Sequence, residues 1–267
     1  MSWLSTRNWR ANTLDRVDLI QNPMSLVRSI AASTGLYLGT VLWTGVSILI
    51  AAPAYCYFRL KNQLGPQEAT RKLIWIYGRA WVGLASLFMP VKRHLCPIPS
   101  PCVMVANHAS IFDVYFMGAQ PQWNVCMALK GWPFKIPCYS WFMKAAGYLN
   151  LDTMELGEMQ EKTEAVLASG AALLFFPEGT RSQDGKLGRF RSGAFLVAAR
   201  AGVKIIPLCF KGTDILLPPG KKLIQPSCIM IRALDAVETL SYQSTPSGHL
   251  HLRNIVKTMM QSELQSM

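Results

Sequence analysis

The segment Asn107-His108-Ala109-Ser110-Ile111-Phe112-Asp113 sets one imidazole and one carboxylate five positions apart. It directly follows the apolar run Val103-Met104-Val105-Ala106, and Asp113 is the only carboxylate between Leu95 and Leu151. The run reads as a strand. Ser110, followed three residues later by Asp113, has a capping-box-like spacing that opens a helix. His108 then falls on the strand-to-helix turn, at the carboxyl end of the strand, where open α/β sheets bind ligands. A carboxylate paired to one ring nitrogen fixes the tautomer and favours the imidazolium, leaving the other nitrogen as a general base. His108 and Asp113 are therefore candidate catalytic residues, a base and its orienter awaiting a hydroxyl. The same spacing also fits a plain helix cap beside a buried histidine.

A second segment, Phe176-Pro177-Glu178-Gly179-Thr180-Arg181-Ser182, ends another apolar run. Proline stops a strand, and glycine permits a tight or left-handed turn. Gly179, Thr180, Arg181 and Ser182 offer backbone donors, two hydroxyls and a guanidinium, a set that can hold a phosphate. Glu178 is placed to pair with Arg181 or to accept a hydrogen bond from a substrate hydroxyl. An ordinary connecting loop has a similar composition. Lys186, Arg189 and Arg191 follow, just before Ser192-Gly193 and an apolar helical stretch. Cations at a helix N-terminus make an anion site, and they equally suit a solvated basic loop.

Elements must position these groups. Alternating strand-like and helix-like segments follow Pro97-Ile98-Pro99-Ser100-Pro101. Strands are expected at 102–106, 123–128, 147–151, 171–176, 203–209 and 227–232. Helices are expected at 110–119, 134–146, 154–169, 192–201 and near 248–264. The alternation predicts an α/β fold, an αβα sandwich around a mostly parallel sheet.

The 267 residues carry a net charge of +12, with 51% hydrophobic and only 16% charged residues. About 25% charged is usual for a soluble domain, so the chain is expected to touch lipid. The charge suits an anionic partner, such as a membrane surface or a phosphate-bearing substrate. No nucleic-acid motif accompanies it, so no nucleic-acid partner is expected. From Ser29 to Phe58 no residue is charged, a length that exceeds the roughly 30 Å hydrocarbon core if helical. Its distance from Met1 and its length set it apart from a signal peptide. Pro53 leaves open one tilted span or a bent, partly inserted helix. Arg7, Arg10, Arg16 and Arg28 precede the run, and a larger basic excess follows it. The positive-inside rule then puts the bulk of the chain at the cytoplasmic face of the membrane. A second stretch, Leu73 to Val91, carries only Arg79 and reads as a returning membrane element or a buried or interfacial helix. The seven cysteines lack C-x-x-C pairs and zinc-ligand spacing with the four histidines, which predicts buried, reduced thiols and no metal site.

The motifs at 107–113 and 176–182, with Gly188-Arg189-Phe190-Arg191-Ser192-Gly193 running on to Ile206-Pro207-Leu208, resemble sequence blocks of the glycerolipid acyltransferases, most nearly the 1-acylglycerol-3-phosphate (lysophosphatidate) acyltransferases. The resemblance covers about residues 95–215. It implies N-terminal membrane-associating helices over 1–96 and an acyltransferase domain over 97–267. It further implies transfer of a fatty acyl group from acyl-CoA or acyl-carrier protein to a membrane lipid acceptor, with no cofactor, metal or acyl-enzyme. By the same resemblance His108 is the base and Asp113 orients it. Asn107, Lys130, Glu178, Gly179, Thr180 and Arg181 bind substrate. One departure stands out: Thr153 in Gly147-Tyr148-Leu149-Asn150-Leu151-Asp152-Thr153 occupies a place where the family often has an arginine. A different lyso-lipid acceptor, such as a lyso-ornithine lipid or lysophospholipid, therefore stays open, as does substitution by Lys186 or Arg189.

Overall fold

A computed structural model describes residues 23–137 and 139–267. The expectations for Arg7, Arg10 and Arg16 lie outside the described residues. Two helices come first, α1 (Pro23–Leu60) and α2 (Pro66–Ala85). Then follow β1 (Val91–His94), β2 (Val103–Ala106), α3 (Asp113–Phe116), β3 (Val125–Leu129), α4 (Tyr139–Ala145), β4 (Leu149–Asn150), α5 (Leu156–Ala168), β5 (Ala172–Phe175), α6 (Gly193–Ala201), β6 (Ile205–Lys211), α7 (Thr213–Leu216), β7 (Ile229–Ala233) and α8 (Gly248–Ser266). The strands form one sheet in the order β1-β7-β6-β2-β5-β3-β4. It is parallel except at β6–β7, where the pairing is antiparallel.

The central strands are buried on both faces, as parallel strands covered by helices must be. Along β2 the period-two alternation divides the side chains. Met104 and Ala106 face a layer containing Trp81, Phe116 and Leu36 from α2, α3 and α1. Val103 and Val105 face a layer containing Val166, Phe195 and Val256 from α5, α6 and α8. This is the expected αβα sandwich. The register explains where the site forms. Val105 lies beside Phe175 of β5 and Pro207 of β6, and Ala128 of β3 also lies beside Phe175. The segments after β2, β5 and β3 therefore leave the sheet at one edge, bringing together 107–113, 176–182 and Lys130.

One strand is added to those expected and two expectations are corrected. The sheet includes β1, which precedes the 97–101 prolines. Its Val91 pairs with Ile229 at the rim. The helix expected at 110–119 is only four residues long, followed by a tight turn over Met117–Ala119. In that turn the backbones approach closely: a Cβ on Gly118 would lie 2.2 Å from the carbonyl carbon of Gly78 on α2. Of the cysteines, Cys102, Cys126 and Cys209 are buried, but Cys56, Cys96 and Cys228 are exposed.

α1 is one helix through Pro53. At 1.5 Å per residue it is about 57 Å long. It lies along the domain rather than leaving it. Near its start, Ser33 Oγ accepts the Ile224 N–H at 2.8 Å. Further along, Thr44 Oγ1 lies 2.9 Å from Tyr77 Oη of α2. The remaining surface of α1 exposes Leu26, Val41, Leu42, Leu49 and Leu60.

Candidate active site

His108 sits just past β2, with its side chain 19% exposed, and Asp113 is fully buried. Asp113 Oδ2 accepts three hydrogen bonds: from His108 Nδ1 at 2.8 Å, Ala109 N–H at 2.7 Å and Ser110 N–H at 2.8 Å. Two backbone donors converging on that oxygen hold the group as a carboxylate, so the imidazole nitrogen facing it must be the protonated one. Nε2 is then the basic nitrogen. The Ser110 N–H bond is the reach-back half of a capping box. The other half is altered, since Ser110 Oγ donates to Leu217 O at 3.1 Å and receives only a long 3.4 Å bond from Phe112 N–H. The phenyl ring of Phe176 lies 4.4 Å from the imidazole, centroid to centroid, and walls one side of it.

The loop after β5 grips the histidine backbone from both ends. Glu178 Oε1 accepts the His108 N–H at 2.9 Å, and the Ser182 N–H donates to the His108 carbonyl at 2.8 Å. Glu178 Oε2 accepts the Gly188 N–H at 2.8 Å. Both carboxylate oxygens thus hold backbone, and the expected pairing with Arg181 is not formed. Burial pushes the Glu178 carboxyl up from its ordinary value, and the bonds from His108 and Gly188 offset this only in part. Gly179 has a φ of +70°, the left-handed region that favours glycine. A Cβ there would sit 3.0 Å from Arg191 Nε, so Arg191 lies directly against the turn.

The remaining residues divide clearly. Asn107 was expected to bind substrate, but its amide is engaged within the fold: Nδ2 donates to Phe210 O at 2.9 Å and Oδ1 accepts Phe210 N–H at 2.8 Å. It ties the end of β2 to β6. Lys130 and Arg181 are partly buried, Thr180 is exposed, and Lys186 and Arg189 are exposed. The ion pairs formed among the described residues include none of Lys130, Arg181, Lys186, Arg189 or Arg191. Thr153 is exposed, with its hydroxyl 3.4 Å from Asn150 O. The N–H groups of Ala109, Ser110, Phe112 and Asp113 are engaged within the turn. Among the described residues no group of three or more His, Cys, Asp or Glu side chains is placed to hold a metal ion.

Beside this edge lies an apolar cavity of about 250 Å³. Ile48 and Ala51 of α1, Ile74 of α2, Tyr115 of α3, Met127 of β3 and Phe142 of α4 contribute to its walls. Tyr115 belongs to the short helix that also carries Asp113, while His108 and Asp113 themselves are not among the lining residues. Nothing in the sequence pattern links these positions; they meet because α1 and α2 lie along the sheet face that carries β3. Tyr115 Oη and Tyr139 Oη are hydrogen-bonded at 2.5 Å across the wall.

The sequence model of the acyltransferase family matches residues 91–211, from the first residue of β1 to the last of β6. A chloroplastic 1-acyl-sn-glycerol-3-phosphate acyltransferase of Brassica napus is 36% identical over 126 residues, covering 46% of this chain and 36% of that protein. A 1-acyl-sn-glycerol-3-phosphate acyltransferase of Chlamydomonas reinhardtii is 38% identical over 134 residues, covering 49% of this chain and 40% of that protein. The chain thus spans well under half the length of these two relatives. The crystal structure of the 1-acyl-sn-glycerophosphate acyltransferase PlsC from Thermotoga maritima superposes with a TM-score of 0.72 at 22% identity. It covers 91% of this chain and 97% of that one, which shows the shared fold.

Proposed function

We propose, for a chain whose residues 91–211 form an acyltransferase-family domain, that it transfers a fatty acyl group from an acyl thioester to the free hydroxyl of lysophosphatidate, giving phosphatidate. The observation that carries this reading is the 2.8 Å contact between His108 Nδ1 and the buried Asp113 carboxylate at the sheet edge. His108 Nε2 removes the acceptor's hydroxyl proton as the oxygen attacks the thioester carbonyl. Collapse of the tetrahedral adduct breaks the C–S bond, and the imidazolium returns its proton to the departing sulfur. The thioester is already activated, so the sequence of steps calls for no covalent enzyme intermediate, metal or cofactor. A positioned base contributes about 10²–10⁴-fold, and binding both substrates together adds the advantage of an intramolecular reaction.

Arg191 lies against the turn at Gly179 and Arg181 follows it by two residues, Lys130 leaves the neighbouring strand β3, and none of the three has a carboxylate partner among the described residues, which suits the acceptor phosphate. Arg191, lying against Gly179, supplies charge that Thr153 lacks. Glu178 acts by holding the His108 backbone rather than by touching the acceptor. The apolar cavity suits the acyl chain. α1 lies along the domain and exposes a long apolar surface, which supports insertion into one leaflet rather than a perpendicular span. The basic excess that follows α1 in the sequence supports a position of the domain at the cytoplasmic face.

The test is acyl transfer by the full chain in membranes, wild type against His108→Ala, with labelled lysophosphatidate and either acyl-CoA or acyl-carrier-protein thioester. Wild-type turnover with the variant reduced to background supports the reading. Turnover retained by a folded His108→Ala protein sinks it. A panel of other lyso-lipids decides the acceptor, and the two donors compared side by side decide the carrier.

A further inference from the structure

Among the described tryptophans, Trp132 and Trp141 stand out as 52% and 67% exposed. They belong to neighbouring segments, the turn Trp132–Lys135 and α4. Ile136 between them is 37% exposed, and Lys135 and Lys144 are exposed as well. α4 divides its side chains by function. Phe142 and Met143 turn inward and line the apolar cavity. Trp141 and Lys144, three residues apart and so on one helix face, turn outward. Ile48 and Ala51 of α1 line the same cavity. α4 and the apolar α1 thus flank one cavity, and a bilayer that receives α1 along its length reaches α4 too.

We propose that Trp132, Lys135, Ile136, Trp141 and Lys144 form a second bilayer contact, seated in the headgroup layer of an anionic membrane. The cavity then opens toward lipid between this patch and α1. Tryptophan prefers the membrane–water interface, where its ring is buried in an apolar zone and its N–H stays wet. Lysine beside it meets anionic headgroups, and its stem lies along the apolar surface. A dry protein interface is depleted in lysine. The cations and the continuity with α1 therefore favour lipid over a second protein. This deepens the membrane reading above and rests on α1 lying in the same bilayer.

The experiment replaces Trp132 or Trp141 of the full chain with photoreactive p-benzoylphenylalanine, in vesicles of phosphatidylcholine and labelled phosphatidylglycerol. On illumination the ketone removes a hydrogen from a nearby C–H, and the two radicals join, marking whatever lies against the side chain. Asp235 is the control, because it is exposed and follows β7, which runs antiparallel to β6 and so ends at the other edge of the sheet. Lipid adducts at 132 and 141 about fivefold or more above that control are expected if both side chains sit at the interface. Yields equal to the control, or cross-linking to a second copy of the chain, overturn the proposal. A second measurement uses Trp132→Ala/Trp141→Ala. Its half-saturating surface fraction of acceptor in vesicles should rise about 5- to 10-fold, while turnover of a dispersed short-chain acceptor stays within about twofold. An equal loss on both acceptors also overturns it. The cross-link is read without any turnover, so failure of the proposed reaction and failure of this surface are told apart.

Discussion

Replacing Asp113 with asparagine tests the central pairing most directly. The side chain keeps its shape, and its carbonyl can take the place of Oδ2, which accepts the His108, Ala109 and Ser110 donors in the wild type. What disappears is the negative charge next to the imidazolium that forms during proton transfer. Two unit charges about 4 Å apart attract by about 4 kcal/mol at an effective dielectric constant of about 20. Each 1.36 kcal/mol is tenfold in rate, so the full effect is about 10³-fold in kcat. His108 is 19% exposed, so solvent screening trims this only modestly, and a loss of about 10²–10³-fold is expected. KM for both substrates should change little, because neither Asp113 oxygen reaches the surface. The variant also has a stability cost. Its amide nitrogen occupies the site of Oδ1, a buried atom without a hydrogen-bond partner. An unsatisfied buried donor costs about 1–3 kcal/mol. The assay therefore pairs thiol-release kinetics with thermal unfolding in the same detergent, at a temperature where the variant is fully folded. A kcat within about tenfold of wild type in folded protein would falsify the orienting role and leave Asp113 as a clasp for the turn.

Glu178→Gln leaves one carbonyl oxygen where two carboxylate oxygens hold His108 and Gly188, and puts an amide donor against one of those N–H groups. We expect a drop in kcat of about 10- to 100-fold, from a base held less firmly in place. The same variant yields a pH prediction. Burial raises the folded-state Glu178 carboxyl above its ordinary value of 4.5, so the folded protein binds that proton more tightly than the unfolded chain. That contribution to stability is fully present below the unfolded value and is lost as pH rises through the folded one. Wild-type stability relative to Glu178→Gln should therefore grow as pH falls from neutral toward 4.5, as read by denaturant unfolding; a constant difference contradicts the buried carboxyl. Gly118→Ala drives a methyl group into the Gly78 backbone. Overpacking of this kind costs about 1–3 kcal/mol, and α2 should loosen from the domain, lowering the melting temperature and raising proteolysis between α2 and β1. An unchanged melting temperature refutes the tight backbone contact.

Much of the fold was legible because the central strands are short apolar runs stopped by residues that leave a sheet. Val103–Ala106 ends before Asn107, and Ala172–Phe175 ends before Pro177. β1 escaped that reading because its Lys92, Arg93 and His94 are exposed at the rim, where charge protects an open sheet edge and resembles loop composition. In the site, the His108–Asp113 pairing was visible because both residues lie within one turn. The roles of Asn107 and Glu178 were not, since their partners lie 103 and 70 residues away in sequence and become neighbours only through strand pairing. Gly118 carried no local sign of its contact, because the steric demand comes from a helix forty residues upstream.

The order of pairing in the sheet has a consequence for how the chain comes into being. Synthesis runs from the N-terminus, so α1 and α2 are complete before β2 exists. β2 then has no strand neighbour until β5 and β6 have been made, because it pairs with those two alone. The imidazole leaves the ribosome well before the loop that grips its backbone, and contacts this distant form late. The long apolar helix α1 is therefore available first, while the edge that carries His108 is still unformed. On the function proposed above, the nascent chain meets its lipid surface before it is able to act on what that surface contains.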